Sequence, residues 1–433
     1  MRRERVMKML DMKWIRENQE QVQQAAASRG IVIELDSLIT LDDQLRKQRY
    51  AVDQERTEQN KLAKEIAKLV GSSSPEQAEL FKQKARDKQQ KLLQLESGLK
   101  EIQGEWEKRI LTIPNILSPD TPYGRTDFDN VVLETMGVPP EFDFEPKDHV
   151  ALAESLDLLD IARGVKVAGS RNYFLKGLGQ YLHRAVQQLA IDVLADRGFT
   201  VMDVPVMARE EALTNSAFFP SGKEQTYELA DEGKWLVGTS EVPLISYYAS
   251  EVVDVLSEPI RLAAVSNCFR KEAGSAGRDV RGLYRVHQFA KVEQVIICRN
   301  DLEHADAMLQ EITSNAEHLL QLLELPYRKV AVCSGDLGYK NYKQYDLETW
   351  MPSRGGYGET QSASSLLDFQ ARRSRIRYKD EQGQLSYCYT LNCTAIAAPR
   401  ILIPLLEIHQ QMDGSIYIPE ALRPYMRGLE RIG

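Results

Sequence analysis

Cys268-Phe269-Arg270-Lys271-Glu272-Ala273-Gly274, followed by Arg281-Gly282-Leu283-Tyr284-Arg285-Val286-His287-Gln288-Phe289 and then Lys291-Val292-Glu293, is the stretch whose reading decides the fold. It reads as a strand, a basic glycine-rich loop and a second strand. Arg270 and Arg285 are spaced to reach a polyphosphate from the two strands. Arginine suits that role because its planar fork binds phosphate bidentately and stays charged. Phe289 is placed to stack under a base. Glu293, if buried beside these arginines, is expected to be ionised and to accept from an amine or a hydroxyl. An exposed charged hairpin is the plain alternative, but it leaves the recurrence of Arg, Glu and Phe on one face without a reason.

Three further stretches carry chemistry. In Gly238-Thr239-Ser240-Glu241-Val242-Pro243, Thr239 and Glu241 sit two apart, so on an extended segment they share a face. A hydroxyl and a carboxylate there would hold an ammonium group; a turn with a cap explains the pattern equally well. In Tyr357-Gly358-Glu359-Thr360-Gln361-Ser362, Glu359 and Ser362 offer hard oxygen ligands for a Mg²⁺ already carried on phosphates. In the segment from Leu391 to Arg400, Asn392 and Thr394 face one way along a strand. Arg400 then opens an otherwise apolar helix, where a charge is costly unless paired. A bound phosphate or an interior ion pair would serve.

Outward from these stretches, residues 180–430 read as one domain of mixed helix and strand, with helical patterns at 182–197, 301–324 and 400–410 and β-branched runs such as Val292 to Ile297. No glycine-rich phosphate loop of the dinucleotide or P-loop type is present, so a bound nucleotide needs another design. Residues 111–180 are a loop-rich transition punctuated by Pro119, Pro122, Pro139, Pro140 and Pro146. Before it, residues 40–70 and 75–110 are rich in Gln, Glu, Lys and Leu. Apolar residues recur at helical spacing, at Leu41, Leu45, Val52, Leu62, Ile66 and Leu69, then at Leu80, Leu92, Leu95, Leu99, Ile102 and Trp106. Gly71-Ser72-Ser73-Ser74-Pro75 separates the runs with turn chemistry. Two long antiparallel helices follow, a hairpin arm whose apolar stripe is wide enough only for the two to cover each other.

The 433 residues predict two or three domains, and 43% apolar against 27% charged residues is an ordinary globular composition. No run of about 18 uncharged apolar residues occurs, so no membrane span is expected. The basic start Met1-Arg2-Arg3-Glu4-Arg5 is not followed by an apolar signal core. Five scattered cysteines, at 268, 298, 333, 388 and 393, predict free thiols in a reducing compartment, hence a cytoplasmic protein. Six scattered histidines have no zinc-site spacing. A net charge of −8 argues mildly against nucleic acid, but residues 42–109 carry 15 Lys/Arg against 13 Asp/Glu. Within them, Phe81 to Lys91 holds Lys82, Lys84, Arg86, Lys88 and Lys91 against Asp87 alone. That suits a projecting element touching RNA, or a solvated helix face.

Taken together, these residues resemble the seryl-tRNA synthetases of bacterial type, within the class II aminoacyl-tRNA synthetases. The family's arm ends near a Thr-Ile-Pro-Asn string, found here at Thr112 to Asn115. The helix at 182–197 with Gly198-Phe199 and Pro205 resembles class II motif 1. Phe269-Arg270-Lys271-Glu272 and Val286-His287-Gln288-Phe289 resemble motif 2, and Asn392 to Arg400 resembles motif 3. The strings Asp279 to Phe289 and Asp368 to Arg373 are specific to the family. The resemblance implies an α+β fold: an antiparallel sheet flanked by helices, with an N-terminal helical-hairpin arm. It implies an N-terminal tRNA-binding domain over 1–115, with the arm at about 40–110, and a catalytic domain over 116–433. It implies ATP and Mg²⁺, L-serine and serine tRNA as ligands, with selenocysteine tRNA as a further candidate, a homodimer, and neither membrane nor DNA as partner.

By position, the resemblance places serine among Thr239, Ser240, Glu241, Glu293, Asn392 and Thr394, with Arg270 reaching its carboxylate. It places ATP against Arg270, Lys271, Glu272, Arg285, Val286, Phe289, Glu359, Thr360, Gln361, Ser362 and Arg400, and Mg²⁺ on Glu359 and Ser362. Arg270, Arg400 and Glu293 are the catalytic set. The sequence departs from the family's pattern at Gly358, where an arginine usually precedes the glutamate, and at Gln361, Ala363 and Cys393. These departures keep open a specialised paralogue and a catalytically weak tRNA-binding scaffold beside an ordinary synthetase.

Overall fold

Strong helix formers fill the segment up to residue 111, and the two long runs are single helices. The computed structural model describes residues 11–69, 75–274 and 281–433. After two short helices, α1 (Met12–Glu17) and α2 (Gln19–Ala27), come α3 (Leu35–Leu69) and α4 (Pro75–Leu111). At 1.5 Å per residue they are roughly 52 and 55 Å long. The predicted break at Gly71–Ser74 lies outside the described residues. Pro75 stands first in α4, where its missing N–H costs nothing. Leu45 and Val52 of α3 and Leu92 and Trp106 of α4 are buried, whereas Leu80, expected in the stripe, is 56% exposed.

Charge as well as apolar contact joins the helices. Glu55 of α3, 6% exposed, takes Lys88 Nζ at 3.0 Å and Lys91 Nζ at 2.9 Å from α4, and Arg56 reaches Glu96 at 2.6 Å. Two of the five cations in the basic stretch are therefore paired across the hairpin. Lys91 and then Lys88 hold the Glu55 carboxyl below its usual range. This contribution is present above the ordinary glutamate pKa and is lost as pH falls through the lower folded value. Glu55→Gln is expected to speed amide hydrogen exchange in 35–69 and 79–111 at neutral pH. The shift should correspond to about 1 kcal/mol, and wild type and variant should converge in acid. Equal protection at neutral pH would contradict the clamp.

The chain divides into two compact units, one formed by the residues up to Ala27 with Ile31–Pro114, the other by Ser28–Gly30 with Asn115–Gly433. The second is built on an eight-stranded sheet. In chain order its strands are β1 (Val131–Met136), β2 (Thr200–Met202), β3 (Ile260–Phe269), β4 (Gln288–Cys298), β5 (Tyr327–Ala331), β6 (Lys343–Met351), β7 (Gly356–Leu367) and β8 (Tyr389–Ala397). They lie side by side as β1-β5-β6-β7-β8-β4-β3-β2. Every pairing is antiparallel except the edge pair β2·β3, which is parallel. The loop-rich transition thus contributes a sheet edge, β1, all six of whose residues are exposed. Half-exposed edge strands lack the apolar alternation that reveals a strand in sequence.

Three helices, α5 (Gly177–Asp196), α7 (Leu302–Leu322) and α9 (Ala398–Ile408), close one core with the sheet, through Leu182, Leu309, Ile312, Leu402 and Leu405 among others. Two short helices, α6 (Glu241–Tyr247) and α8 (Phe369–Ser374), contribute Leu244, Ile245 and Ala371 to a second, smaller core. Strand pleating distributes the side chains between the two. Along β4, Val292, Ile296 and Cys298 enter the first core, while Val295 and Ile297 enter the second.

Candidate active site

That alternation decides where the polar residues of the central strands go. Lys291 and Glu293 share the face of Val295 and Ile297. On β8, Leu391, Cys393 and Ala395 fill the main core, which turns Asn392 and Thr394 to the opposite face. Thr394 stands directly across from Glu293, next to a register shift before Ile396. Such a bulge re-aims side chains at the end of a ladder.

The polar face is a closed network. Glu293 is ion-paired with Lys291 and accepts a hydrogen bond from Thr394 Oγ1 at 3.3 Å. Lys291 Nζ donates to Thr239 Oγ1 at 2.9 Å and to Thr394 Oγ1 at 3.5 Å. Glu241 accepts from Lys340 Nζ at 2.5 and 2.6 Å, from Gln370 Nε2 at 2.6 Å and from Asn392 Nδ2 at 2.6 Å. Glu241, Lys291, Glu293 and Asn392 are all less than a tenth exposed. Charges buried this deeply cost several kcal/mol each unless paired, and here each carboxylate has its own lysine. Burial pushes the Glu293 carboxyl above its usual range; Lys291 opposes the shift and the nearby Glu241 adds to it. A further cation is therefore welcome at Glu293.

Two expectations are corrected here and one open choice is decided. Of the two readings of the Thr239–Glu241 segment, extended or a capped turn, the second holds: it is a turn that enters α6 at Glu241, whose N–H is held by Thr239 Oγ1 at 3.2 Å. The hydroxyl and carboxylate meet the site through a helix start. Glu293 has Lys291, Glu241 and Lys340 as its charged neighbours, not the arginines. Lys271 turns away from the cleft, its Nζ lying 5.7 Å from the Tyr227 ring centroid. Ser240 is fully buried beside the network.

Next to the network a cleft is lined by Arg270, Glu272, Arg285, Val286, Phe289 and Arg400, with Thr360 and Gln361 at its back. Arg270 leaves the end of β3 and lies over the Phe289 ring at 5.2 Å, donating weakly to Gly238 O at 3.3 Å. The Phe289 ring thus supports a guanidinium. Arg285 faces Glu272 at 3.5 Å. Arg400 opens α9 and donates to the Glu359 carboxylate at 3.1 Å, so the interior ion pair exists. Burial works against its charge, but Glu359 and then Tyr284 outweigh it and raise its pKa. Ser362 lies across β6·β7 from Asp346. Burial, and then repulsion from Glu359, holds the Asp346 carboxyl well above the usual range. A divalent cation between Glu359 and Ser362 would relieve that repulsion, so the oxygen donors present fit Mg²⁺.

Sequence reasoning left Lys291, Lys340, Gln370 and Asp346 without roles. Lys291 was available from its i, i+2 relation to Glu293, and Gln370 from the Asp368–Arg373 string. Nothing local marks Lys340, which comes from a loop about a hundred residues downstream of its partner. Lys340→Met would leave Glu241 in the interior with amide donors alone. The expected cost is about 3 kcal/mol of stability in this unit, read as a lower urea midpoint; an unchanged midpoint would show the pair to be dispensable.

Comparison with known proteins completes the picture. A family model described as tRNA synthetase class II core domain (G, H, P, S and T) matches residues 226–409, and one described as Seryl-tRNA synthetase N-terminal domain matches residues 9–117. The chain is 45% identical over 425 residues to a serine--tRNA ligase of Deinococcus radiodurans, covering 98% of this chain and 99% of the relative. It is 41% identical over 426 residues to that of Rubrobacter xylanophilus, with the same coverage. Among solved structures, the seryl-tRNA synthetase of Pyrococcus horikoshii complexed with ATP superposes with a TM-score of 0.86 at 37% identity, covering 98% of this chain and 99% of that one. Likeness over the whole length, through both units, places the chain in the seryl-tRNA synthetase family.

Proposed function

We propose that the chain activates L-serine with ATP to seryl-adenylate and transfers the seryl group to the 3′ end of serine tRNA. The observation that carries this is the adjacency of two differently built sites on one sheet face. One is a small buried network of hydroxyls and lysine-paired carboxylates; the other is a cleft walled by arginines. The first suits an amino acid with a hydroxyl, the second a nucleotide polyphosphate.

In this reading Glu293 and Thr239 take the serine ammonium, and Thr394 and Asn392 read its hydroxyl. Glu241 positions Asn392 and Gln370. Arg270, supported on Phe289, bridges the serine carboxylate and the α-phosphate. Arg285 and Glu272 meet the phosphates and base from the loop, and Arg400 meets the phosphates from the start of α9. Glu359 and Ser362 would hold Mg²⁺, which supplies charge neutralisation on the phosphates when bound. The serine carboxylate attacks the α-phosphate and pyrophosphate leaves; the terminal ribose hydroxyl of tRNA then attacks the seryl carbonyl, takes the seryl group and releases AMP. No protein nucleophile is needed, because positioning and charge stabilisation supply the rate. The N-terminal domain over 1–115 binds tRNA through the α3–α4 hairpin, and the catalytic domain over 116–433 works as a homodimer. All five cysteines are buried free thiols, in keeping with a reducing cytoplasm.

The test uses the chain and a variant lacking residues 44–105. Both should support serine-dependent exchange of pyrophosphate into ATP, and only the full chain should charge serine tRNA. Absence of exchange in both would contradict the activation step, and full charging by the shortened chain would contradict the role of the hairpin.

A further inference from the structure

Two loops meet at one aromatic ring on the wall of the cleft. Tyr284 comes from the loop between β3 and β4 and lines the cleft beside Arg285 and Arg400. The Arg400 guanidinium lies 4.5 Å from its ring centroid, and a second guanidinium, that of Arg354, lies 4.1 Å from the same centroid. Arg354 is exposed and ends the single 3-10 turn Pro352–Arg354 that joins β6 to β7. An arginine planted on a ring loses little of its freedom on binding, and its planar fork matches the oxygens of a phosphate. Two like charges on one ring repel, and a polyanion reaching both would turn that repulsion into attraction.

Both partners of the stack are tied to one buried anchor. Glu407, in α9, is fully buried. It accepts from Ser353 N–H at 2.9 Å and Ser353 Oγ at 2.7 Å, and from His149 N–H at 3.0 Å and Nδ1 at 2.8 Å. His149 then accepts from Leu283 N–H through Nε2 at 3.3 Å. Ser353 and Leu283 immediately precede Arg354 and Tyr284, so a single carboxylate sets the height of both loops. Burial opposes the charge of Glu407, but the bonds from His149 and Ser353 hold its carboxyl below the usual range.

Gly358 completes the arrangement. A Cβ there would lie 3.2 Å from Met351 Sδ and 3.3 Å from the Tyr284 ring. The position where the resemblance expects an arginine is therefore already crowded by that ring, and a cation reaches the ring from the 352–354 turn instead. We propose that Arg354, carried on Tyr284, is a nucleotide-binding residue that contacts the terminal phosphates of a nucleoside triphosphate. This rests on the reading of the cleft as the ATP site.

The experiment is calorimetric titration of ATP and of AMP, each with Mg²⁺, into the full chain and into Arg354→Ala and Tyr284→Phe. Arg354 is exposed, so the first variant is expected to fold. It should bind ATP about tenfold more weakly, about 1.4 kcal/mol, with AMP affinity unchanged. Tyr284→Phe keeps the ring that carries Arg354, so its loss of ATP affinity should be smaller than that of Arg354→Ala; an equal or larger loss would overturn the role of the ring as the support. Unchanged ATP affinity in Arg354→Ala would overturn the assignment, as would an equal loss for ATP and AMP, which would mark a structural role. If wild type bound neither nucleotide, the ATP reading itself would fall and the assignment with it. ATP binding by wild type with no difference in the variant would overturn only the assignment.

Discussion

Pairing of two buried carboxylates with two buried lysines is the constraint on which the active-site face depends. Glu241 opens α6 and Lys340 precedes β6, while Lys291 and Glu293 lie on β4. Unpaired, any of the four would cost several kcal/mol, a large part of a domain's net stability. Paired, they fasten α6, α8 through Gln370, and the central strands into one arrangement. The same network leaves Glu293 poised for an additional cation, because burial keeps its carboxyl above its usual range. Stability and ligand recognition are thus drawn from the same atoms.

The phosphate side works differently. Its arginines stand on rings or beside carboxylates: Arg270 on Phe289, Arg285 by Glu272, Arg400 by Glu359 and Tyr284, Arg354 on Tyr284. Each is held in place before any anion arrives, which reduces the ordering cost of binding. The α3–α4 hairpin follows the same economy on a larger scale, with Glu55 pairing Lys88 and Lys91 across the helices while Lys82, Lys84 and Arg86 are exposed.

Much of this was legible in the residues. The two long helices were plain because heptad-like spacing and the absence of Gly and Pro in the first run leave a chain few other choices, and the start of α4 at Pro75 agrees with that reading. The strands carrying Glu293 and Thr394 were legible through β-branched runs and period-two alternation. What escaped were relations that no short window contains. Lys340 meets Glu241 only because the sheet brings β6 near α6. Lys271 looked equivalent to Arg270, but successive residues at a strand end point to opposite sides, and Lys271 went to Tyr227. The Thr239–Glu241 pair fitted an extended segment and a capped turn equally well, and only the packed structure shows the helix start that places it. β1 escaped because Val131-Val132-Leu133-Glu134-Thr135-Met136 is an apolar run without period-two alternation, set in a stretch that its prolines mark as loop.

The central claim, that this sheet face selects an amino acid by its hydroxyl as well as its ammonium, is tested most directly by pyrophosphate exchange with serine and with alanine as the only amino acid. Serine should support exchange, and alanine should fall short by at least about a hundredfold, because its methyl leaves the polar groups at Thr394 and Asn392 unpaired. Equal exchange with both amino acids would contradict the account.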